Sequence, residues 1–193
     1  MHFTVEAQEK VKPYLIDGAV AVDATAGNGF DTVFLAGCVG QAGKVIAIDR
    51  QGQAIERTQQ RLVEAGLSRR VDCVVGNHGD LESILSVRGI SRIDCAMFNL
   101  GYLPHGDKSV VTEPESTLKA LKAVERVLVT GGIVSILAYV GHRDGENEAS
   151  VVARWIGELG TSYTIERWSD EENPRSPILW ILRKHDLSHP QGQ

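Results

Sequence analysis

The chain has 193 residues, with 20 basic side chains against 25 acidic ones, a formal net charge of -5, 42% hydrophobic and 23% charged residues. That composition suits one ordinary globular domain and excludes collagen-like, disordered and disulfide-scaffold classes. No run approaches roughly 18 uninterrupted apolar residues, and Met1 to Lys12 carries charges where a secretory leader needs an apolar centre, so a soluble, cytoplasmic protein is expected.

Seven short apolar runs follow one another: Ala19 to Val22, Lys44 to Ile48, Val71 to Val75, Ile93 to Phe98, Ile133 to Tyr139, Tyr163 to Trp168 and Ile178 to Leu182. Several are nearly continuous in Val, Ile, Ala and Leu, the pattern of strands covered by helices on both faces. Between Thr112 and Gly131, Thr112 and Glu115 have capping-box spacing, Pro114 suits a first turn, and Leu118, Leu121, Val124 and Leu128 share one helix face. Gly131 and Gly132 are read as the stop of that helix. Val151, Val152, Trp155, Ile156 and Leu159 mark another helix ending at Gly160, and its stripe, Trp155 included, is expected to pack on the sheet. No helix separates the last two runs; Asn173-Pro174 and Ser176-Pro177 supply turns, so an antiparallel pair is expected there.

The sum is an α/β fold. It is a seven-stranded, Rossmann-like sheet, mostly parallel with a reversed last strand and helices on both faces, as in class I S-adenosylmethionine (SAM) methyltransferases. Residues 1–184 form one domain in this reading and residues 185–193 a polar tail. Cys38, Cys73 and Cys95 lack CxxC or zinc-like spacing; they read as packed thiols, and no metal site is expected.

Candidate chemistry gathers at the strand ends. The first strand runs into Asp23-Ala-Thr-Ala-Gly27-Asn28-Gly29-Phe-Asp31-Thr32, where two glycines let the backbone turn sharply and the next helix offers unpaired N–H groups. A strand-to-helix turn without a ligand uses the same glycines, so the next strand decides. It ends at Asp49, 26 residues after Asp23, where a carboxylate can accept both ribose hydroxyls of an adenosine. A dinucleotide site wants a third glycine at position 32, where Thr32 stands. Asp23 and Asp31 place negative charge at the turn, which repels a pyrophosphate and suits the sulfonium and ammonium of SAM. After the third strand, Asn77 and His78 either touch the adenine or cap the turn near Asp80. At the end of the fourth, Asn99-Leu100-Gly101-Tyr102 leads to Leu103-Pro104-His105-Gly106-Asp107. Amine-directed methyltransferases often have Asn-Pro-Pro-Tyr here; Asn99 and Tyr102 match its outer positions, while Leu100 and Gly101 replace the prolines. After the fifth strand, His142 is a candidate base and Arg143 a candidate phosphate contact, or both are solvated loop residues.

Together these strings resemble a known family. DATAGNGFDTVFLA, the strand end with Asp49 and Gln51, FNLGYLP with Gly106-Asp107, YVGHRDGENEA and NPRSP, in that order from about Ala19 to Lys184, are similar to the small bacterial rRNA-methylase-like proteins of the MnmM family, tRNA 5-aminomethyluridine methyltransferases. Family members usually have Gly-Gly-Asp after the Leu-Pro pair, where this chain has His105-Gly106-Asp107. The segment before the first strand is short, so a cap there is expected to be reduced.

The resemblance implies SAM as cofactor, held at Asn28, Asp49, Gln51 and His78 with Gly27 and Gly29 shaping the turn, and a reacting edge from Asn99 to Tyr102. The implied reaction is N-methylation of the 5-aminomethyl group of the wobble uridine, with or without 2-thiolation. Asn99, Tyr102 and His142 are the expected catalytic residues. Leu100, Gly101, Pro104 and Arg143 are the expected substrate contacts, and Arg69, Arg70, Lys108 and Arg143 the candidate basic face. The expected partner is the tRNA anticodon stem-loop, with a homodimer as a further option and no membrane. The rivals are a SAM-dependent methyltransferase for rRNA or a small amine, and a SAM-binding module without catalysis.

Overall fold

The structure is a computed structural model that describes residues 3–101, 112–141, 145–170, 172–173 and 175–185. In chain order its elements are α1 (Phe3–Val11), β1 (Val20–Asp23), α2 (Phe30–Cys38), β2 (Lys44–Asp49), α3 (Gly52–Glu64), β3 (Val71–Val75), α4 (Leu81–Ser86), β4 (Ile93–Leu100), α5 (Pro114–Val127), β5 (Leu128–Ala138), α6 (Gly145–Glu158), β6 (Tyr163–Trp168) and β7 (Ile178–Lys184). The strand order is β3-β2-β1-β4-β5-β7-β6. Neighbours from β3 to β5 pair in parallel, and β7 runs antiparallel to both β5 and β6, so the seventh strand alone is reversed, as its sequence leads one to expect.

Both sheet faces are covered because successive strand residues point to opposite sides. On one side Val22, Ile46, Ala96 and Phe98 pack with Leu81, Leu121 and Val152 of α4, α5 and α6, and Trp155 lies in the same core. On the other side Ala21, Val45, Cys95 and Met97 pack with Ala7, Leu35 and Leu62 of α1, α2 and α3. Cys95 is a buried free thiol, and Cys38 and Cys73 are half-buried free thiols.

Two sequence expectations need correction. The capping box at Thr112 does not form: α5 begins after Glu113 with no side-chain cap. The Thr112 hydroxyl is engaged elsewhere, and Glu115 pairs with Lys119 one turn on. Gly131 and Gly132 do not stop the helix either, since α5 ends at Val127 and Leu128 is already extended. They lie inside β5, where an advance of two positions along β4 (Ile93 to Cys95) faces an advance of five along β5 (Leu128 to Ile133). This bulge turns the strand through a positive φ of 80° at Gly131, and a Cβ at Gly132 would come within 2.8 Å of the Val129 carbonyl oxygen. The short segment before β1 forms one helix, α1, with Ala7 and Val11 in the core on that side of the sheet.

Among the described residues no helix is long and apolar enough to cross a membrane. Nor does any group of three or more His, Cys, Asp or Glu residues among them have the placement of a metal site. Most of the expected tail, residues 186–193, lies outside the described residues.

Candidate functional site

The order of connection reverses between β1 and β4, which lie side by side, and their C-terminal ends open the crevice where parallel α/β sheets bind ligands. A cavity of about 950 Å³ sits there. Its wall is made by the β1–α2 turn, the ends of β2 and β4, and residues of α1 and α3.

The glycine turn is held from three directions. Gly27 and Gly29 have positive φ of 53° and 82°. A Cβ on Gly29 would lie 2.8 Å from the Thr58 Cα, so α3 packs directly on the turn. Asp49 accepts hydrogen bonds from Gly27 N at 2.8 Å and from Gln51 N at 2.9 Å, one on each carboxylate oxygen. Burial raises its pKa, and the two backbone donors work against that shift. Each oxygen retains a further lone pair for a diol. Beneath the turn, Asp23 is wholly buried, accepting from Thr32 Oγ1 at 2.5 Å and from Thr25 N at 3.2 Å. Burial first, and the charge of Asp31 second, push its pKa up to about 7.

Asp31 ties α1 and the end of β4 together at the cavity. Its Oδ1 accepts from Gln8 Nε2 and its Oδ2 from Asn99 Nδ2, both at 2.6 Å, while Asn99 N donates to Thr25 Oγ1 at 2.7 Å. An ionised carboxylate only accepts, so it fixes which end of each amide faces it. The Asn99 nitrogen turns to Asp31, and the Asn99 carbonyl oxygen is left as the outward end of a side chain that lines the cavity.

His78 also lines the cavity, with its Nε2 within 3.2 Å of Thr117 Oγ1 and 3.3 Å of Ser116 Oγ. Burial, assisted by Arg50, lowers its pKa to about 4, so the ring is neutral at physiological pH. Thr117 in turn donates to the buried Glu148 of α6, which also accepts from Thr112. Thr112 closes the network onto β4: its hydroxyl accepts from Gly101 N at 2.8 Å, and its own N–H donates to Gly101 O at 3.0 Å.

The structure thus brings Gly27, Asn28, Asp31, Asp49, Gln51, His78, Asn99 and Gly101 to one cavity. It does not bring Asp23, Gly29, Thr32, Asn77 or Leu100 to the wall. Asp23 and Thr32 bond each other in the core, and Gly29 starts α2. Asn77 accepts from Gly79 N as a cap, and Leu100 is buried in the hydrophobic core. Tyr102, Pro104, Lys108, His142 and Arg143 lie outside the described residues. Arg69 and Arg70 precede β3, at the sheet edge opposite the cavity, and Arg70 donates to the Ala36 carbonyl.

Sequence reasoning passed over Thr4, Val5 and Gln8 from α1, Phe30 after the glycine turn, and Arg57 and Arg61 on α3, all of which line the cavity. The spacing of the two arginines, one helical turn apart, was the available signal.

The profile of the family described as "Putative rRNA methylase" matches residues 45–184. A second profile, "Protein-L-isoaspartate(D-aspartate) O-methyltransferase (PCMT)", matches residues 1–81. Over 178 residues the chain is 36% identical to the chloroplastic "tRNA (mnm(5)s(2)U34)-methyltransferase" of Arabidopsis thaliana, a match covering 88% of this chain and 64% of that protein. The chain thus spans a little under two thirds of that relative's length. Two solved structures superpose on nearly all of it. One, a "putative rRNA-methylase" from Clostridium thermocellum, has a TM-score of 0.89 at 33% identity and covers 95% of this chain and 98% of its own. The other, a "putative methyltransferase" from Streptococcus mutans in complex with SAH, has a TM-score of 0.83 at 28% identity over 95% and 98% of the two chains. With a profile match over well more than half its length and the seven-stranded sheet of these structures, the chain belongs to the family described as "Putative rRNA methylase", on the class I methyltransferase fold.

Proposed function

We propose that the protein is a SAM-dependent N-methyltransferase acting on the 5-aminomethyl group of a wobble uridine in tRNA, with or without 2-thiolation, to give 5-methylaminomethyluridine. The single observation that carries this is the Asp31–Asn99 pair, an amide at the end of β4 with its nitrogen tied to a carboxylate and its carbonyl oxygen left for an N–H donor. Such an oxygen suits an amine substrate. The relative from Arabidopsis thaliana, named for methylating a modified U34, points to the same chemistry.

The residues present fit SAM. Asp49 takes the ribose hydroxyls, the turn at Gly27 and Asn28 gives the close backbone approach, His78 borders the adenine, and the negative charge of Asp31 suits a sulfonium. When bound, SAM supplies an electrophilic methyl group whose carbon–sulfur electron pair leaves with sulfur, while the amine nitrogen forms the new bond. The chain's own residues orient and exclude water. Asn99 Oδ1 accepts one amine N–H and so aims the nitrogen lone pair. Tyr102 stacks on the uracil, and Gly101 and Pro104 shape the edge around it. His142 takes the proton that an aliphatic ammonium must lose before attack, and Arg143 meets a phosphate of the anticodon stem-loop.

The test is nucleoside mass spectrometry after incubating the purified protein with SAM and tRNA carrying 5-aminomethyluridine, with rRNA and small amines in parallel. The expected result is one added methyl on the wobble nucleoside. Methyl transfer to rRNA or to a free amine in place of tRNA would overturn this reading, and so would no transfer at all.

A further inference from the structure

The rim of the cavity carries an aromatic and basic cluster that the methyl-transfer chemistry does not use. Phe30 opens α2 directly after the left-handed Gly29. Its neighbours Asp31 and Thr32 turn inward, and the ring is sent outward with 61% of its surface exposed. The Arg61 guanidinium lies over that ring, 4.0 Å from its centroid. One turn earlier on α3, Arg57 donates to Asn28 Oδ1 at 3.2 Å. All three side chains line the cavity.

Arg50, Arg88 and Arg126 each pair with a carboxylate, whereas among the described residues Arg57 and Arg61 form no ion pair, so no acidic side chain there neutralises either charge beside the cavity. Like charges one turn apart also weaken a helix. Their contacts within the chain, the Phe30 ring for Arg61 and the Asn28 oxygen for Arg57, leave both guanidinium charges un-neutralised. An exposed ring flanked by two guanidiniums is what a single-stranded nucleic acid uses, the base stacking on the ring and its phosphates meeting the cations.

We propose that Phe30, Arg57 and Arg61 form a single-stranded RNA rim, on which a base next to the methylated nucleotide stacks. The inference rests on the tRNA reading for the identity of the RNA and goes beyond it in assigning the surface. It places an aromatic contact on α2 and a basic one on α3, on a protein whose net charge is -5.

The experiment is an anisotropy titration of a labelled anticodon stem-loop RNA at several salt concentrations, with SAH calorimetry alongside. It compares wild type with Phe30→Ala, Phe30→Trp and Arg61→Glu. Phe30 and Arg61 are surface residues, so the variants keep the fold. Phe30→Ala should weaken RNA binding about tenfold and Phe30→Trp restore it. Arg61→Glu should weaken binding and flatten its salt dependence. SAH calorimetry reads the cofactor cavity that these side chains also line, and RNA affinity should fall by a larger factor than SAH affinity. The proposal is overturned if the wild type does not bind the RNA, if RNA affinity is unchanged in both Phe30→Ala and Arg61→Glu, or if SAH affinity falls in step with RNA affinity. A wild type that binds this RNA through Phe30 and Arg61 yet never methylates it sinks the tRNA reading and supports the rim.

Discussion

Replacing Asp31 with Asn separates a structural role for that carboxylate from a chemical one. Asp31 accepts two hydrogen bonds of 2.6 Å, from Gln8 and from Asn99, and is only 8% exposed. An amide of the same shape has one accepting oxygen and one donating nitrogen. It can satisfy one neighbour as before, and the other only if that neighbour turns over. An Asn99 that turns over keeps a hydrogen bond but presents NH₂ to the cavity. That NH₂ then competes for the lone pair it should leave open. The fold keeps both hydrogen bonds, each weakened from charge-assisted to neutral by about 1 kcal/mol. The transition state loses a contact with a charged or developing partner, worth about 1.5–3 kcal/mol, or about 10- to 150-fold in rate. Single-turnover methylation of aminomethyl-tRNA at saturating SAM gives the rate, and a thermal melt gives the stability. A rate within threefold of wild type would refute the orienting role of Asp31. A melting temperature that collapses together with the rate would assign the pair to folding alone.

Other outcomes follow from the same geometry. Asp49→Ala removes the diol acceptor and the brace on Gly27 together, and calorimetry should show SAM and SAH weakened alike by about 1–3 kcal/mol; unchanged affinity would remove Asp49 from the cofactor site. Gly29→Ala forces a Cβ to 2.8 Å from the Thr58 backbone at a φ of 82°, so scanning fluorimetry should find a loss of about 1–2 kcal/mol, or about 2–8 °C in Tm. A melt equal to wild type would contradict that close packing. His78, lowered from 6.5 to about 4 mainly by burial, contributes stability that is complete above pH 6.5 and lost as pH falls through 4, about 3 kcal/mol in all. Asp23, raised from 3.8 to about 7, has the opposite sign: its contribution is complete below pH 3.8 and lost as pH rises through 7. The difference between wild type and His78→Asn isolates the histidine; denaturant midpoints that fall in parallel for both proteins between pH 6.5 and 4 would show that His78 does not titrate this way.

The strands were legible because burial on both faces leaves apolar runs, and Asp49 was legible because a β-strand rise carries it to a fixed place beside the glycine turn. Partners distant in sequence were not. Asp31 and Asn99 are 68 positions apart and meet only because β4 lies beside β1, which no local pattern encodes. Thr112 has the residue type and spacing of a cap, but its hydroxyl goes to Glu148, 36 positions on, so the local option lost to a buried carboxylate. Gly131 and Gly132 punctuate the chain as a helix stop would. Only the pairing of β5 with β4 reveals a bulge instead. In α1, the charges of an exposed face hide Ala7 and Val11, four residues apart and both in the core.

Thr112 and Gly101 exchange hydrogen bonds at the two ends of segment 102–111, so the chain departs from β4 and rejoins α5 through one small gate of backbone and hydroxyl. Loop-closure cost grows only slowly with length, so residues between those anchors can be exchanged, shortened or extended while β4 stays in register. Changes confined to that stretch of sequence leave the Asp31–Asn99 pair, anchored on α2 and β4, where it is.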